Sequence, residues 1–199
     1  TMPDHYRSWR EILKGEGIHV TYEDIYKREG QPGITSVREL SLEHCKIFDD
    51  QKAASILRKK ENLFKKIVKI RFITGARNFL KYLHKRNIRL ALVTGTSRHE
   101  LLQVLPPSLR GLFSVIVTGN DVKHGKPHPE PYLTSLKNLK MKPSDAVVIE
   151  NAPFGIRSAK KAGLRCLALE TSLPREYLRE ADAIYSSIKD LQADVLFLI

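Results

Sequence analysis

From about residue 73 onward, short apolar runs alternate with segments whose apolar residues recur at helical spacing. The first such segment opens at Gly75 and carries an i, i+3, i+4, i+7 pattern, formed by Ala76, Phe79, Leu80 and Leu83. Helices are also predicted from about Arg98, from Glu130, and over the residues that precede Gly163. The apolar runs predict five strands: Arg89–Val93, Val115–Val117, Ala146–Ile149, Arg165–Ala168 and Ala183–Tyr185. Strands that alternate with helices predict an α/β fold with a doubly wound parallel sheet.

The first 70 residues have helical periodicity without such runs. Trp9, Ile12 and Leu13 form an apolar stripe in the first predicted helix, which Gly15 and Gly17 end. The other predicted helical segments are Tyr22–Lys27, Ser36–Leu40, Leu42–Phe48 and Lys52–Lys69. We therefore expect a helical domain over residues 1–72 and an α/β core domain over residues 73–199.

Polar side chains follow the third predicted strand at the point where it ends. We interpret the run Ala146–Ile149 as a strand buried on both faces, and Glu150 and Asn151 come directly after it. Their carboxylate and amide oxygens suit a hard cation such as Mg²⁺. A simpler interpretation is that Asn151 hydrogen-bonds within its own turn.

Two other strand ends carry groups that suit an anion. The first strand is followed by Thr94, Gly95 and Thr96, whose hydroxyl and amides lie at a predicted helix start. After the second strand, Lys126 stands between glycine and proline and offers a fixed cation. The alternatives are that Thr94 and Ser97 only cap a helix and that the lysine is solvated. Because the carboxyl ends of parallel strands meet at one edge of a sheet, we expect one common site.

Composition and charge bear on whether the protein binds nucleic acid or a membrane and on the compartment in which it works. The net charge is +12, and residues 46–89 contain fourteen Lys or Arg against three acids. These basic residues lack interleaved aromatics and any nucleic-acid motif, so we interpret them as solvated helix surfaces and do not expect a nucleic-acid partner. No apolar run approaches the length of a membrane span. Cys45 and Cys166 fit no metal or redox spacing, which indicates reduced thiols in a cytoplasmic protein.

The order of these motifs resembles the haloacid-dehalogenase-like superfamily, in the branch of β-phosphoglucomutase and the phosphoglycolate-type phosphatases. The segments that carry the resemblance are LALVTGTS (90–97), HGKPHPEPYL (124–133) and VVIENAPFGIRSAKKAG (147–163). The opening TMPDHYRSWREIL also resembles the segment that enters that family's helical cap. The resemblance thus covers essentially the whole chain and makes residues 1–72 a cap domain.

The resemblance implies phosphoryl transfer through an aspartyl-phosphate. It assigns catalytic roles to Thr94, which would hydrogen-bond the phosphoryl group, and to Lys126, which would neutralise charge on the phosphoryl group and on the nucleophile. The Gly95 and Thr96 amides, identified above as an anion site, would bind the phosphate beside them. Glu150 and Asn151 would hold Mg²⁺.

In the cap, the resemblance places His5 and Trp9 near the active-site entrance and Lys60 against the substrate. For these three residues, ordinary packing or solvation is an equal alternative.

Three departures from the family pattern bear on these expectations. The family's Asp-x-Asp motif supplies the nucleophile on a first strand that would lie between the predicted strands Arg89–Val93 and Ala146–Ile149. This motif is absent from the sequence, so we expect a longer natural chain. Asn151 stands where most relatives have Asp, which should lower metal affinity. An arginine that phosphoglucomutases present from a cap turn has no counterpart in residues 30–35.

The leading hypothesis is a monomeric Mg²⁺-dependent phosphatase, rather than a phosphomutase, of small phosphorylated metabolites. The alternative is a catalytically inactive phosphate-binding or nucleic-acid-associated protein on the same fold. Metal-free dehalogenase chemistry is a third possibility, against which the Glu150-Asn151 turn argues.

Overall fold

The computed structural model describes residues 2–69 and 71–195. The chain divides into two compact units, Thr1–Arg71 and Phe72–Ile199. Among the described residues, the first unit is helical and the second contains helices and parallel strands. No helix within these described ranges is both long enough and apolar enough to cross a membrane.

The first unit is built from four helices: α1 (Met2–Lys14), α2 (Tyr22–Tyr26), α3 (Gly33–Glu43) and α4 (Asp50–Ile67). Their apolar faces form one buried cluster, which includes Trp9, Leu13, Val37, Leu40 and Ile56. The predicted stripe of the first helix is thereby confirmed. Burial of these side chains is the main source of stability for helices of this length.

Residues in the first unit mark where its helices begin. Thr21 accepts a hydrogen bond from the Asp24 amide, and Asp24 accepts one from the Thr21 amide, which makes a capping box at α2. Asp49 caps α4 through the Lys52 amide at 2.6 Å. The prediction of two short segments, Ser36–Leu40 and Leu42–Phe48, was wrong, because α3 runs unbroken to Glu43. Leu40 and Ser41 are buried on the same face of that single helix. Their packing stabilises a continuous helix across the point where the sequence pattern predicted a break.

The second unit alternates strands and helices. Its strands are β1 (Ala91–Val93), β2 (Val115–Val117), β3 (Val147–Glu150), β4 (Arg165–Leu169) and β5 (Ala183–Tyr185). Its helices are α5 (Ala76–Lys85), α6 (Arg98–Val104), α7 (Pro107–Arg110), α8 (Glu130–Leu139), α9 (Pro153–Lys161) and α10 (Ile188–Val195). The five predicted strands are confirmed with ends shifted by up to two residues, whereas α7 and α10 were not predicted.

The strands form two parallel sheets within the described residues. β1 pairs with β2, with Leu92 opposite Ile116, and β4 lies between β3 and β5. Within those residues, β1 and β3 each therefore have one unpaired edge. These are the two strands between which the family resemblance places a further strand.

The third strand is less buried than expected. Val148 and Glu150 are buried, but Val147 and Ile149 are 39% and 37% exposed. The prediction of a strand buried on both faces was wrong, because side chains alternate along a strand and only one of these two sets is covered here. After the strand, α9 buries Ile156 and Ala159 and ends at Lys161. Gly163, two residues beyond that end, has a φ of +75°, which suits glycine.

Candidate active site

Lys126 lies at the centre of the strand-end residues in the second unit. Its side chain is almost fully buried, at 7% exposure. The ammonium group donates to the Val93 carbonyl at 3.1 Å and to Glu150 Oε1 at 2.5 Å. The lysine therefore bridges the end of β1 to the end of β3, and it brings together three motifs that are far apart in sequence.

The Glu150 carboxylate is saturated with donors. Besides Lys126, Oε1 accepts from the Tyr132 hydroxyl at 2.7 Å, and Oε2 accepts from the amides of Asn151 at 3.0 Å and Ala152 at 3.3 Å. Burial acts to raise the pKa of this carboxyl, but the Lys126 charge and these hydrogen bonds outweigh it and lower the pKa. Glu150 is therefore ionised in the fold and holds the lysine in place.

Two further residues complete this buried cluster, and sequence reasoning missed both. Tyr132 is 6% exposed, and burial together with the adjacent Glu150 charge holds its pKa well above its usual value, so its hydroxyl donates. Its ring also faces the Lys126 ammonium, 5.1 Å from the ring centroid. Gly155 leaves room for the carboxylate, because a Cβ there would lie 2.1 Å from Glu150 Cδ. Tyr132 ends the motif KPHPEPY and Gly155 ends the motif APFG. An aromatic residue and a glycine at these two places are the sequence signals that could have indicated them.

The turn after β1 has a defined shape. Thr94 continues the pairing through its amide, which donates to the Val117 carbonyl at 2.9 Å, and its hydroxyl accepts from the Thr96 amide at 3.1 Å. The Thr96 carbonyl accepts from the Gly119 amide at 3.0 Å, and a Cβ at Gly119 would lie 2.5 Å from the Gly95 carbonyl oxygen. Gly95 and Thr96 are exposed, so this turn can be reached by a ligand.

Other polar residues at these strand ends have structural partners. Ser97 caps α6 by accepting from the Glu100 amide, as the simpler interpretation predicted for this serine. Asp121 accepts from the Thr118 amide and hydroxyl and from Arg98. These hydrogen bonds lower the pKa of Asp121, and the two from Thr118 contribute more than the one from Arg98. This carboxylate serves the loop after β2.

Asn151 extends the cluster towards Ser172, to which its side-chain amide donates at 2.9 Å. Mg²⁺ needs several oxygen ligands, usually one or two carboxylates with waters. Both oxygens of Glu150 are engaged by four donors, and Asn151 is neutral, so the described residues alone do not fit a complete Mg²⁺ site. A divalent cation here would require a carboxylate from elsewhere.

The three residues that the sequence analysis placed in a predicted cap lie together in the first unit. Lys60 Nζ is 2.9 Å from His5 Nδ1, and it faces the Trp9 ring at 5.2 Å and the Phe64 ring at 5.0 Å. His5 stacks on Phe64 with ring centroids 4.0 Å apart. Burial first, and then the Lys60 charge, lower the pKa of His5 well below 6.5. His5 is therefore neutral, and Phe64 is the member of this cluster that sequence reasoning left out.

Residues 1–169 match the family of haloacid dehalogenase-like hydrolases. The chain belongs to this family, in its β-phosphoglucomutase-like branch, as the order of the strand-end motifs predicted.

Two curated relatives are phosphatases. The phosphorylated carbohydrates phosphatase of Thermotoga maritima is 32% identical over 174 residues, which are 82% of this chain and 76% of that enzyme. The validoxylamine A 7'-phosphate phosphatase of Streptomyces hygroscopicus subsp. limoneus is 36% identical over 121 residues, which are 60% of this chain and only 57% of that enzyme.

Solved structures share the architecture. A Bacteroides vulgatus protein that is provisionally named a β-phosphoglucomutase superposes with a TM-score of 0.86 at 32% identity. The match covers 97% of this chain and 81% of that protein. The expected α/β fold is thereby confirmed.

Proposed function

We propose that this chain is part of a Mg²⁺-dependent phosphatase that hydrolyses small phosphorylated metabolites, with phosphorylated sugars as the substrate class. The observation that carries the proposal is the buried Lys126, held between the ends of β1 and β3 beside the exposed Thr94 turn. Family membership and the two phosphatases to which the chain is similar support the same reaction class.

In this proposal, Lys126 and the Thr94 turn bind the phosphoryl group. The negative charge on the phosphoryl oxygens is stabilised best by donors that are already in position before the reaction. Lys126 meets this condition, because the Val93 carbonyl and Glu150 fix its ammonium. The Thr94 hydroxyl and the Gly95 and Thr96 segment supply the neutral donors.

The acceptor is proposed to be an aspartate on a strand that pairs between β1 and β3. The unpaired edges of these two strands, within the described ranges, support this position, as do the exposed Val147 and Ile149. A carboxylate oxygen would attack phosphorus while the ester P–O bond breaks and the leaving alcohol takes a proton. Water would then hydrolyse the acyl phosphate and restore the carboxylate. That strand's carboxylates would also complete the Mg²⁺ ligand set with Asn151.

A phosphatase is preferred to a mutase because of Arg28. This residue is the arginine nearest to the cap turn at residues 30–33, and its side chain is only 6% exposed. Its guanidinium is paired with Glu39 and Glu43 and donates to the Asp24 carbonyl. An arginine held in this way is not available to bind a second phosphate group. A mutase needs such a contact, because it must hold both phosphates of its bisphosphate intermediate.

The cap cluster is proposed to contribute to the substrate site through Lys60, with His5 and Trp9 at its entrance. The contacts that gather the Lys60 ammonium, the His5 imidazole and the Trp9 ring into one cluster support this proposal. We also propose a cytoplasmic monomer; the unbridged Cys45 and Cys166 are consistent with a reducing compartment.

The proposal is tested with the natural full-length protein and a panel of phosphorylated sugars in the presence of Mg²⁺. We expect Lys126→Ala to lower kcat by about 10²–10³-fold, the usual cost of one preorganised charge-stabilising donor. Lys123→Ala is the matched control, since Lys123 is exposed in the same loop, and should keep the wild-type rate. Full activity of Lys126→Ala would overturn the proposed role.

The covalent step has its own readout. An acid quench during turnover, followed by reduction with sodium borohydride, should convert a phosphorylated aspartate into homoserine, and mass spectrometry of peptides would locate that residue. The same treatment without substrate is the control and should leave the aspartate unchanged. Phosphate release at the full rate with no homoserine at any quench time would mean that water attacks the ester directly and would exclude the aspartyl-phosphate.

A further inference from the structure

The loop before α8 carries metal-ligating side chains that the site around Lys126 does not use. His124, His128 and Glu130 each offer one ligand atom, and these atoms all lie within 4.8 Å of one another. The side chains of the two histidines are 65% and 50% exposed, and that of the glutamate is 27% exposed. We propose that this His–His–Glu group binds one divalent transition-metal ion of the zinc type.

The distances are close to those of a zinc centre. His124 Nδ1 lies 2.9 Å from Glu130 Oε2, and His128 Nδ1 lies 3.9 Å from the same oxygen. Tetrahedral zinc with bonds of about 2.0–2.1 Å separates its ligand atoms by about 3.3 Å. The two observed distances fall on either side of that value. The two histidine ligand atoms lie within 4.8 Å of each other. Shifts of up to about 1.5 Å, within reach of exposed side chains, would therefore seat the ion.

The protein holds the ligands in place by contacts of its own. The Glu130 carboxylate accepts from the amides of Lys123 at 2.8 Å and His124 at 2.9 Å. The carbonyl of His128 accepts from the Ser158 hydroxyl at 2.6 Å, which ties this part of the loop to α9. A backbone that is already ordered reduces the entropy cost of binding. The ion would replace two hydrogen bonds: the one between the His124 imidazole and the Glu130 carboxylate, and the one that the Glu130 amide donates to His128 Nδ1 at 3.2 Å.

The ligand types select the class of ion. Imidazole nitrogen favours Zn²⁺, Cu²⁺ and Ni²⁺ over Mg²⁺, which prefers oxygen ligands only. Three protein ligands leave a coordination position for water. The group is therefore distinct in chemistry from the oxygen donors of Glu150 and Asn151, and excess Mg²⁺ should not compete for it.

Binding is measured by titrating the full chain with ZnCl₂ in excess MgCl₂, using calorimetry. All proteins carry Cys45→Ser, which removes an exposed thiol that could bind zinc on its own. We expect one Zn²⁺ per chain, and we expect His124→Ala with His128→Ala to weaken its binding at least about tenfold. The matched control is His84→Ala with His99→Ala, which removes one exposed histidine from α5 and one from α6. This double change should leave the zinc affinity and the stoichiometry unaltered.

Two further readouts keep the test decisive. Co²⁺ in place of Zn²⁺ should give a visible absorption band that the His124/His128 double variant loses. Zinc should also raise the midpoint of thermal unfolding in the control but not in that variant. Circular dichroism checks folding, and the single variant His128→Gln replaces the double variant if the latter is unfolded. Equal zinc affinity in all variants, or no saturable binding at one ion per chain, would overturn the proposal.

Discussion

Replacing Lys126 by methionine tests whether the buried ion pair organises the candidate active site. Methionine has nearly the length of lysine and no charge, so the change removes the ammonium while filling most of its volume. It leaves the Glu150 carboxylate, which is 9% exposed, without its cation. The Tyr132 hydroxyl and two amides would remain as its donors.

The expected cost follows from that burial. Removing one partner of a buried ion pair usually destabilises a protein by about 3–5 kcal/mol, because the other charge stays desolvated. For a chain of this size, that corresponds to a fall of roughly 6–20 °C in the unfolding midpoint. Lys123→Met, an exposed change in the same loop, should stay within about 0.5 kcal/mol of the wild type.

The dependence on pH gives a sharper test. In the wild type, the folded pKa of Glu150 lies below its ordinary value of 4.5. Its contribution to stability is therefore present above about pH 4.5 and is lost as the pH falls through the lowered pKa. In Lys126→Met, burial should raise the folded pKa above 4.5, so stability should fall as the pH rises. The difference between the two proteins should grow from pH 4 to pH 7.

The assay is thermal unfolding of both proteins, followed by circular dichroism at several pH values. A second variant, Lys126→Met with Glu150→Gln, removes the unpaired charge and should recover part of the lost stability at pH 7. A loss below about 1 kcal/mol, or one that is independent of pH and not reduced in the double variant, would refute the reasoning.

Three further predictions concern single side chains. Gly155→Ala should destabilise the fold by about 1–3 kcal/mol in thermal unfolding, because its Cβ would overlap the buried carboxylate, whereas Gly111→Ala meets only a contact at 3.7 Å. Asn151→Asp should raise Mg²⁺ affinity roughly tenfold in calorimetry, since it adds a charged oxygen ligand. Lys60→Met should raise the pKa of His5, measured by NMR titration, because it removes the charge that adds to burial in lowering that pKa.

Each of these has an outcome that contradicts it. Equal melting of the Gly155 and Gly111 variants would mean that the carboxylate moves aside without cost. Unchanged Mg²⁺ affinity in Asn151→Asp would place the cation away from this turn. An unchanged pKa of His5 in Lys60→Met would mean that burial alone holds the imidazole neutral.

Local pattern was enough to find most of the secondary structure. Apolar runs such as Val115–Val117 and the helical spacing from Ala76 to Leu83 were confirmed, because each signal lies within a few consecutive residues. The predictions of helix continuity and of strand burial failed where tertiary packing determines them. The helix α3 continues through Leu40 because both its halves pack into one core, and Val147 is exposed because no described residue covers it.

For the site, the sequence by itself determined which residue types stand at the strand ends, since Thr94, Lys126 and Glu150 directly follow or connect recognisable elements. Only the tertiary structure decided what these groups do to one another. The sequence indicated Glu150 as a metal ligand, and only the fold showed that Lys126 and Tyr132 both donate to one of its carboxylate oxygens. Those partners lie 24 and 18 residues away, and local periodicity carries no information on contacts made through the packing of separate strands and helices.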